Sequence, residues 1–187
     1  DWSSDVCSSD HNTYTINLSY GVGLIAEGTG VLLNNELDDF AAKPGAPNLF
    51  GLVGFENANA PGPRKRPLSS MTPTIVTRDG QFFMALGAPG GSRIITAVLE
   101  VLLNVIDFRM NVQDAVDAPR FHHQWQPDSL FLEPGISPDT AALLRAKGHT
   151  IDLSPGWVPA QVNAILRDGG WLQGANDDRA AGKAAGY

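Results

Sequence analysis

A chain of 187 residues, 43% hydrophobic and 18% charged, has the composition of a folded globular protein with a sizeable core. Its net charge of −7, with Arg64-Lys65-Arg66 as the only basic run, argues against nucleic-acid binding. No window approaches the roughly 18 apolar residues of a membrane span, and the single cysteine, Cys7, excludes an internal disulfide and leaves no zinc-ligand spacing.

Asp1 to Asp10 (DWSSDVCSSD) has no hydrophobic period and resembles the in-frame translation of a DNA sequencing-library adapter. It is expected to be non-native, with the folded domain running over residues 11–187. From His11 to Tyr20 the residues alternate: Thr13, Thr15, Asn17 and Ser19 on one side, Tyr14, Ile16, Leu18 and Tyr20 on the other. That period predicts a strand with an unusually polar face, either half-exposed or lining a site. Gly21 to Gly30 holds four glycines in neither a GxGxxG nor a P-loop pattern. An apolar run, Val31 to Leu33, then meets the amide and acid cluster Asn34 to Asp39. Pro44 to Pro63, rich in Gly, Pro, Ala and Asn, predicts a long loop.

Asp79-Gly80 between Thr74–Thr77 and Gln81–Leu86 predicts a hairpin. Gly87 to Ser92 opens a helix from Arg93 to Asp107, in which Ile94, Ile95, Val98, Leu99, Leu102, Leu103 and Ile106 keep helical spacing. Asn111 caps a second, short helix ending near Pro119. Ser137 with Pro138 opens a third, closed by Gly148. Strands are expected at Ser129 to Glu133, Thr150 to Leu153, and in a hairpin of Val162 to Arg167 with Trp171 to Gly174. About seven strands and three helices predict an α+β fold, helices packed on a mostly antiparallel sheet.

Four groups could carry chemistry. Gly90-Gly91, between a strand and a helix, either makes a plain tight turn or presents N–H groups to a phosphate or oxyanion. Ser69-Ser70 could donate two hydroxyls to a carboxylate or belong to a polar loop; no GxSxG frames them. Glu36 and Asp39 could hold a substrate ammonium or be solvated loop acids. His122-His123 is a weak metal or triad pair, because sequence neighbours point apart, and structural polar contacts are the better reading.

Together these motifs resemble the small subunit of a γ-glutamyltransferase, over Asn12 to Tyr187. The resemblance lies in Asn12-Thr13-Tyr14-Thr15-Ile16-Asn17, in Gly30 to Phe40 (GVLLNNELDDF), in Arg66 to Thr74 (RPLSSMTPT), in Gly90-Gly91-Ser92-Arg93-Ile94-Ile95, in Asp117 to Trp125 (DAPRFHHQW), and in the ending from Asp178-Arg179 to Ala185-Gly186-Tyr187. It implies an N-terminal-nucleophile hydrolase fold, an α/β/β/α sandwich of which this chain is an incomplete, small-subunit portion. It also implies a self-cleaving precursor, a heterodimer with the precursor's large subunit, and no cofactor. An N-terminal threonine attacks γ-glutamyl amides such as glutathione, and water or an amine resolves the acyl-enzyme. By the same resemblance Gly90 and Gly91 match the oxyanion-hole glycines, and Ser69 and Ser70 the serines gripping the donor's α-carboxylate. Asn17, Glu36 and Asp39 match the group holding its α-amino end, and Thr15 the threonine supporting the nucleophile.

Two departures stand out. The nucleophilic threonine and its strand are expected some twenty residues before Thr15, where the adapter-like segment stands, so the isolated chain is expected to be inactive. Phe50 occupies the lid position at which bacterial members usually carry tyrosine. Alternatives are a related cephalosporin or glutaryl acylase, a catalytically dead homologue, and a non-enzymatic anion-binding module. A periplasmic or secreted location is the family expectation.

Overall fold

In the computed structural model, which describes residues 13–55, 58–153 and 160–186, the chain divides into two compact units, Thr13–Ser69 and Ser70–Tyr187. The adapter-like segment lies outside the described residues.

The second unit is built on the hairpin of β1 (Thr74–Arg78) and β2 (Gln81–Gly87). Asp79 and Gly80 take φ of 54° and 74°, the left-handed pair that a two-residue hairpin turn requires. α1 (Arg93–Ile106) and α2 (Val112–Asp117) follow. As the sequence predicts, Asn111 caps α2, its side chain accepting from the Asp114 amide at 2.9 Å. β3 (Phe121–His122) and β4 (Leu130–Leu132) lead to α3 (Pro138–Ala146), capped by Ser137 on Thr140 and stopped by Gly148 at φ 97°. β5 (Ile151–Asp152), β6 (Asn163–Asp168) and β7 (Trp171–Ala175) complete the order.

The strands make a four-stranded antiparallel sheet, β1-β2-β6-β7, and a three-stranded one, β3-β4-β5. In the latter β4 and β5 run parallel, joined through α3. Alternation decides which face of the large sheet is core: Met84, Leu86, Ala164, Leu166 and Ala175 pack under Ile94, Ala97, Val98, Val101 and Val105 of α1 and Val112, Ala115 and Val116 of α2. The apolar residues of α1 therefore split. Ile95, Leu99, Leu103 and Ile106 lie on its exposed side.

Two sequence expectations are corrected. His11 to Tyr20 does not form a strand over its described part, 13–20. Asn17 at φ 74° and Gly21 at φ 50° turn the backbone out of the extended region, so alternation cannot persist. Gly21 has no alternative there, since a Cβ would lie 2.0 Å from the Leu33 carbonyl oxygen. Conversely, β3 was not expected; two residues are too short to show a period.

Buried charge ties the second unit together. Arg120 pairs with Asp177 at 2.8 Å and donates to the carbonyls of Val116 and Ala160. Arg179 pairs with Glu133 at 2.6 Å and with Asp177 at 3.0 Å. Asp177 also accepts from the Val162 amide, and Glu133 from that of Arg120. Burial pushes the Asp177 carboxyl up, but the Arg179 amide and the Arg120 guanidinium outweigh it and hold it below its ordinary value. Asp177→Ala should strand Arg120 without its counter-charge and cost about 3–5 kcal/mol, seen as a lower urea midpoint at unchanged slope.

Candidate active site

The expected site residues divide between the two units: Thr15, Asn17, Glu36, Asp39, Phe50 and Ser69 in the first, Ser70, Gly90 and Gly91 in the second.

In the first unit Asn35 is the organiser. Its amide donates to the Ile16 carbonyl at 3.2 Å, its side-chain oxygen accepts from the Leu18 amide at 3.0 Å, and its carbonyl accepts from Asn17 Nδ2 at 3.1 Å. Thr15 Oγ1 accepts from the Asn17 amide at 2.8 Å, which holds the bend. The segment from Thr15 to Leu18 is thereby stapled to the residue preceding the 3-10 turn Glu36–Asp39. Asn17 is thus tied through Asn35 to the turn that carries Glu36 and Asp39.

Glu36 and Asp39 are half-buried on that turn. Burial, then the negative Glu36 beside it, raises the Asp39 carboxyl to about 6. Glu36 Oε1 is buried with no hydrogen-bond partner among the described residues. Two adjacent acids with an unused acceptor are an arrangement able to bind a cation.

Asn59, in the left-handed region at φ 55°, is a second staple. It donates to the Asp39 carbonyl at 2.6 Å and accepts from the Leu68 amide at 2.9 Å, fixing the approach to Ser69, whose own residue is exposed. The loop carrying Phe50 hangs from the same turn. Asp38 accepts from the Leu49 amide at 3.1 Å, and Asn48 accepts from those of Phe50 and Leu52 at 3.0 Å. Sequence reading missed Asn35, Asn48 and Asn59; asparagine at turn positions was the one available signal.

In the second unit Ser70 is half-buried, its carbonyl accepting from Thr72 Oγ1 at 2.9 Å. Gly90 and Gly91 sit at φ 138° and 60°. A Cβ on Gly90 would lie 2.6 Å from the Ala160 Cα, so only glycine fits. The Pro89 carbonyl is held by the Gln161 amide at 3.2 Å and the Gly90 carbonyl by the Arg93 amide at 3.3 Å. In a planar trans peptide the N–H points opposite the carbonyl. The Gly90 amide is therefore aimed away from Gln161 and the Gly91 amide away from Arg93 at the start of α1; backbone donors of this kind suit an oxyanion.

The two histidines diverge. His122 is buried, its ring between Thr96 and Gln124; His123 is exposed and meets Asp128 at 3.1 Å. Asp117, Asp177 and Asp178 also cluster, but Asp177 is already committed to the two arginines.

Comparison with known proteins places this geometry. The model of the gamma-glutamyltranspeptidase family matches residues 11–187. The chain is 54% identical, over 89% of its length, to a glutathione hydrolase proenzyme of Escherichia coli (strain K12), and it spans 28% of that relative's length. Among solved structures it resembles a gamma-glutamyltranspeptidase from Pseudomonas nitroreducens complexed with L-DON, with TM-score 0.85 and 45% identity, covering 94% of this chain and 92% of that one. It also resembles the T380A mutant of the Helicobacter pylori gamma-glutamyltranspeptidase, with TM-score 0.83 and 51% identity, covering 90% and 92% respectively.

The raised Asp39 carboxyl has a thermodynamic consequence. Its folded value of about 6 lies above the ordinary 3.8, so the folded state binds the proton more tightly and loses stability as pH rises between them. Asp39→Asn removes that penalty. Its thermal midpoint should exceed the parent's at pH 7.5, with the gain shrinking to nothing below about pH 3; an equal gain at both pH values would contradict the assignment.

Proposed function

The chain belongs to the gamma-glutamyltranspeptidase family, its α+β fold is of the N-terminal-nucleophile hydrolase type, and from that premise we propose that it is the small-subunit portion of an enzyme cleaving γ-glutamyl amides such as glutathione. The γ-glutamyl group would pass to water or to an amino acid or peptide amine. The whole enzyme would be a processed heterodimer with the large subunit of the same precursor, periplasmic or secreted. Among the described residues no helix is long and apolar enough to cross a membrane. Residues 11–187 are the domain in this reading, and Asp1 to Asp10 a non-native addition.

The observation that best supports this substrate class is the paired acids Glu36 and Asp39 stapled beside Asn17. A γ-glutamyl donor ends in a zwitterion, so it needs a cation receptor and an anion receptor. Glu36, Asp39 and the Asn17 side chain supply the first. The hydroxyls of Ser69 and Ser70 supply the second. Thr15 supports the nucleophilic threonine, whose oxygen bonds to the γ-carbonyl carbon while its proton passes through the α-amino group to the leaving amine. The developing oxyanion takes the Gly90 and Gly91 amides, and water or an acceptor amine then displaces the threonine oxygen. Phe50 covers the donor pocket through its ring, without the hydroxyl contact a tyrosine would give.

The test is a heterodimer in which this sequence follows an N-terminal threonine-bearing strand. It should hydrolyse a γ-glutamyl anilide in preference to a glutaryl one; the reverse preference would establish the acylase reading instead. Asp39→Ala should weaken apparent donor affinity by about 2–5 kcal/mol, with a smaller effect on kcat. An unchanged donor KM would remove Asp39 from the receptor.

A further inference from the structure

We infer that His122, which the proposed reaction does not use, is a positioning residue that holds the Gly90 and Gly91 amides in their donor geometry by gripping the first turn of α1 from β3. The inference rests on the oxyanion reading of those glycines.

His122 Nε2 lies 2.9 Å from Gln124 Oε1, and Ser92 Oγ donates to that same oxygen at 2.8 Å. The Gln124 amide nitrogen donates to the Gln126 carbonyl at 3.0 Å, which fixes the side chain's orientation. An amide oxygen only accepts, so His122 carries its proton on Nε2. Nδ1, 2.8 Å from Thr96 Oγ1, then accepts the Thr96 hydroxyl proton, which it shares with the Arg93 carbonyl at 3.1 Å. Burial lowers the affinity of this ring for a second proton and outweighs the Gln124 bond, which favours it, and the nearby Arg93 and His123 act in the same direction as burial.

One rigid neutral ring thus links Ser92, through Gln124, with Thr96, one turn further along α1. Ser92 precedes the helix with helical backbone angles, φ −58° and ψ −24°, rather than the extended ones of a capping serine, and its hydroxyl turns to Gln124 instead of the helix end. β3 is further docked on α1 where Glu100 Oε1 accepts from the Phe121 amide at 2.9 Å.

The link reaches the glycines through the backbone. Arg93 and Ile94, two of the three residues between Ser92 and Thr96, donate their amides to the carbonyls of Gly90 and Gly91. The direction of the Gly91 N–H follows from that of the Gly90 carbonyl. The first turn of a helix has the fewest internal bonds and frays first. Releasing Ser92 and Thr96 therefore loosens the turn that aims the donors. A second shared point is steric: Gly90 rests on Ala160, whose carbonyl is held by Arg120, two residues before His122.

The test uses the processed heterodimer described above, three single variants and one double variant. His122→Phe keeps a ring of similar bulk and removes both hydrogen bonds. His122→Gln keeps a donor toward Gln124. Ser92→Ala cuts the link at its other end and keeps the assay decisive if His122→Phe does not fold. With a γ-glutamyl anilide, His122→Phe and Ser92→Ala should each lower kcat about 10-fold, part of what losing a whole oxyanion donor costs, while donor KM stays within about two-fold. His122→Gln should recover most of that loss. The Ser92→Ala/His122→Phe double variant should be no worse than the poorer single one, because both cut one chain of contacts. Amide hydrogen exchange should rise over residues 88–96 in both single variants. Parental kcat and exchange in both, or losses that multiply in the double variant, would overturn the inference. If the parent heterodimer does not turn over the anilide, the functional reading fails and exchange decides alone: unaltered protection of residues 88–96 then overturns the positioning role.

Discussion

The buried charge cluster of Arg120, Asp177, Arg179 and Glu133 is the constraint on which the second unit depends. Arg120 and Glu133 flank the paired ends of β3 and β4, and Asp177 and Arg179 follow β7 of the other sheet, so the cluster joins the two sheets. Each charge is satisfied twice or more, by an opposite charge and by backbone. Burial alone would lower the Arg179 affinity for its proton, yet its bonds to Glu133 and Asp177 raise it above the ordinary value. The cluster also grips backbone at Val116, Ala118, Ala160 and Val162. Through Ala160 it sets the floor on which Gly90 rests.

The first unit solves a different problem. Among its described residues there is no sheet and no helix longer than the four-residue turn Glu36–Asp39. Three asparagines replace that missing scaffold. Asn35, Asn48 and Asn59 each hold chain segments to or around the acidic turn through side-chain amides. An amide side chain carries both a donor and an acceptor and so mimics a peptide group. Placed at bends, it closes loops that no ladder closes. The result is an acidic turn whose shape is set by polar staples rather than by packing.

Legibility in the sequence followed the range of the forces involved. The hairpin at Asp79-Gly80, the caps Asn111 and Ser137 and the stop at Gly148 are local, and each was readable from a few residues. The helical period of α1 was readable too. Which of its apolar residues face the sheet was not, because Ile94 and Ile95 look alike until a partner is chosen. The alternation of Thr13 to Tyr20 misled for the same reason: period two describes a strand only if the backbone stays extended, and Asn17 and Gly21 bend it. At the site, the glycine, serine and acidic motifs were visible as types. The contacts that aim them were not. Asn59 lies 20 residues from Asp39, and Ala160 lies 70 from Gly90, and nothing in either local sequence announces the other.

The meeting of Gly90 and Ala160 couples two distant positions in a way that composition alone hides. Because the glycine backbone lies directly against the alanine, the space between them is shared. A methyl group is already at its limit there. A larger residue at 160 would have to push either the glycine turn or the strand leading into β6. Position 160 is thus under the same size restriction as position 90, and relatives should vary at these two places together or not at all. An alanine that makes no chemistry of its own acts as the gauge block against which the glycine turn is set.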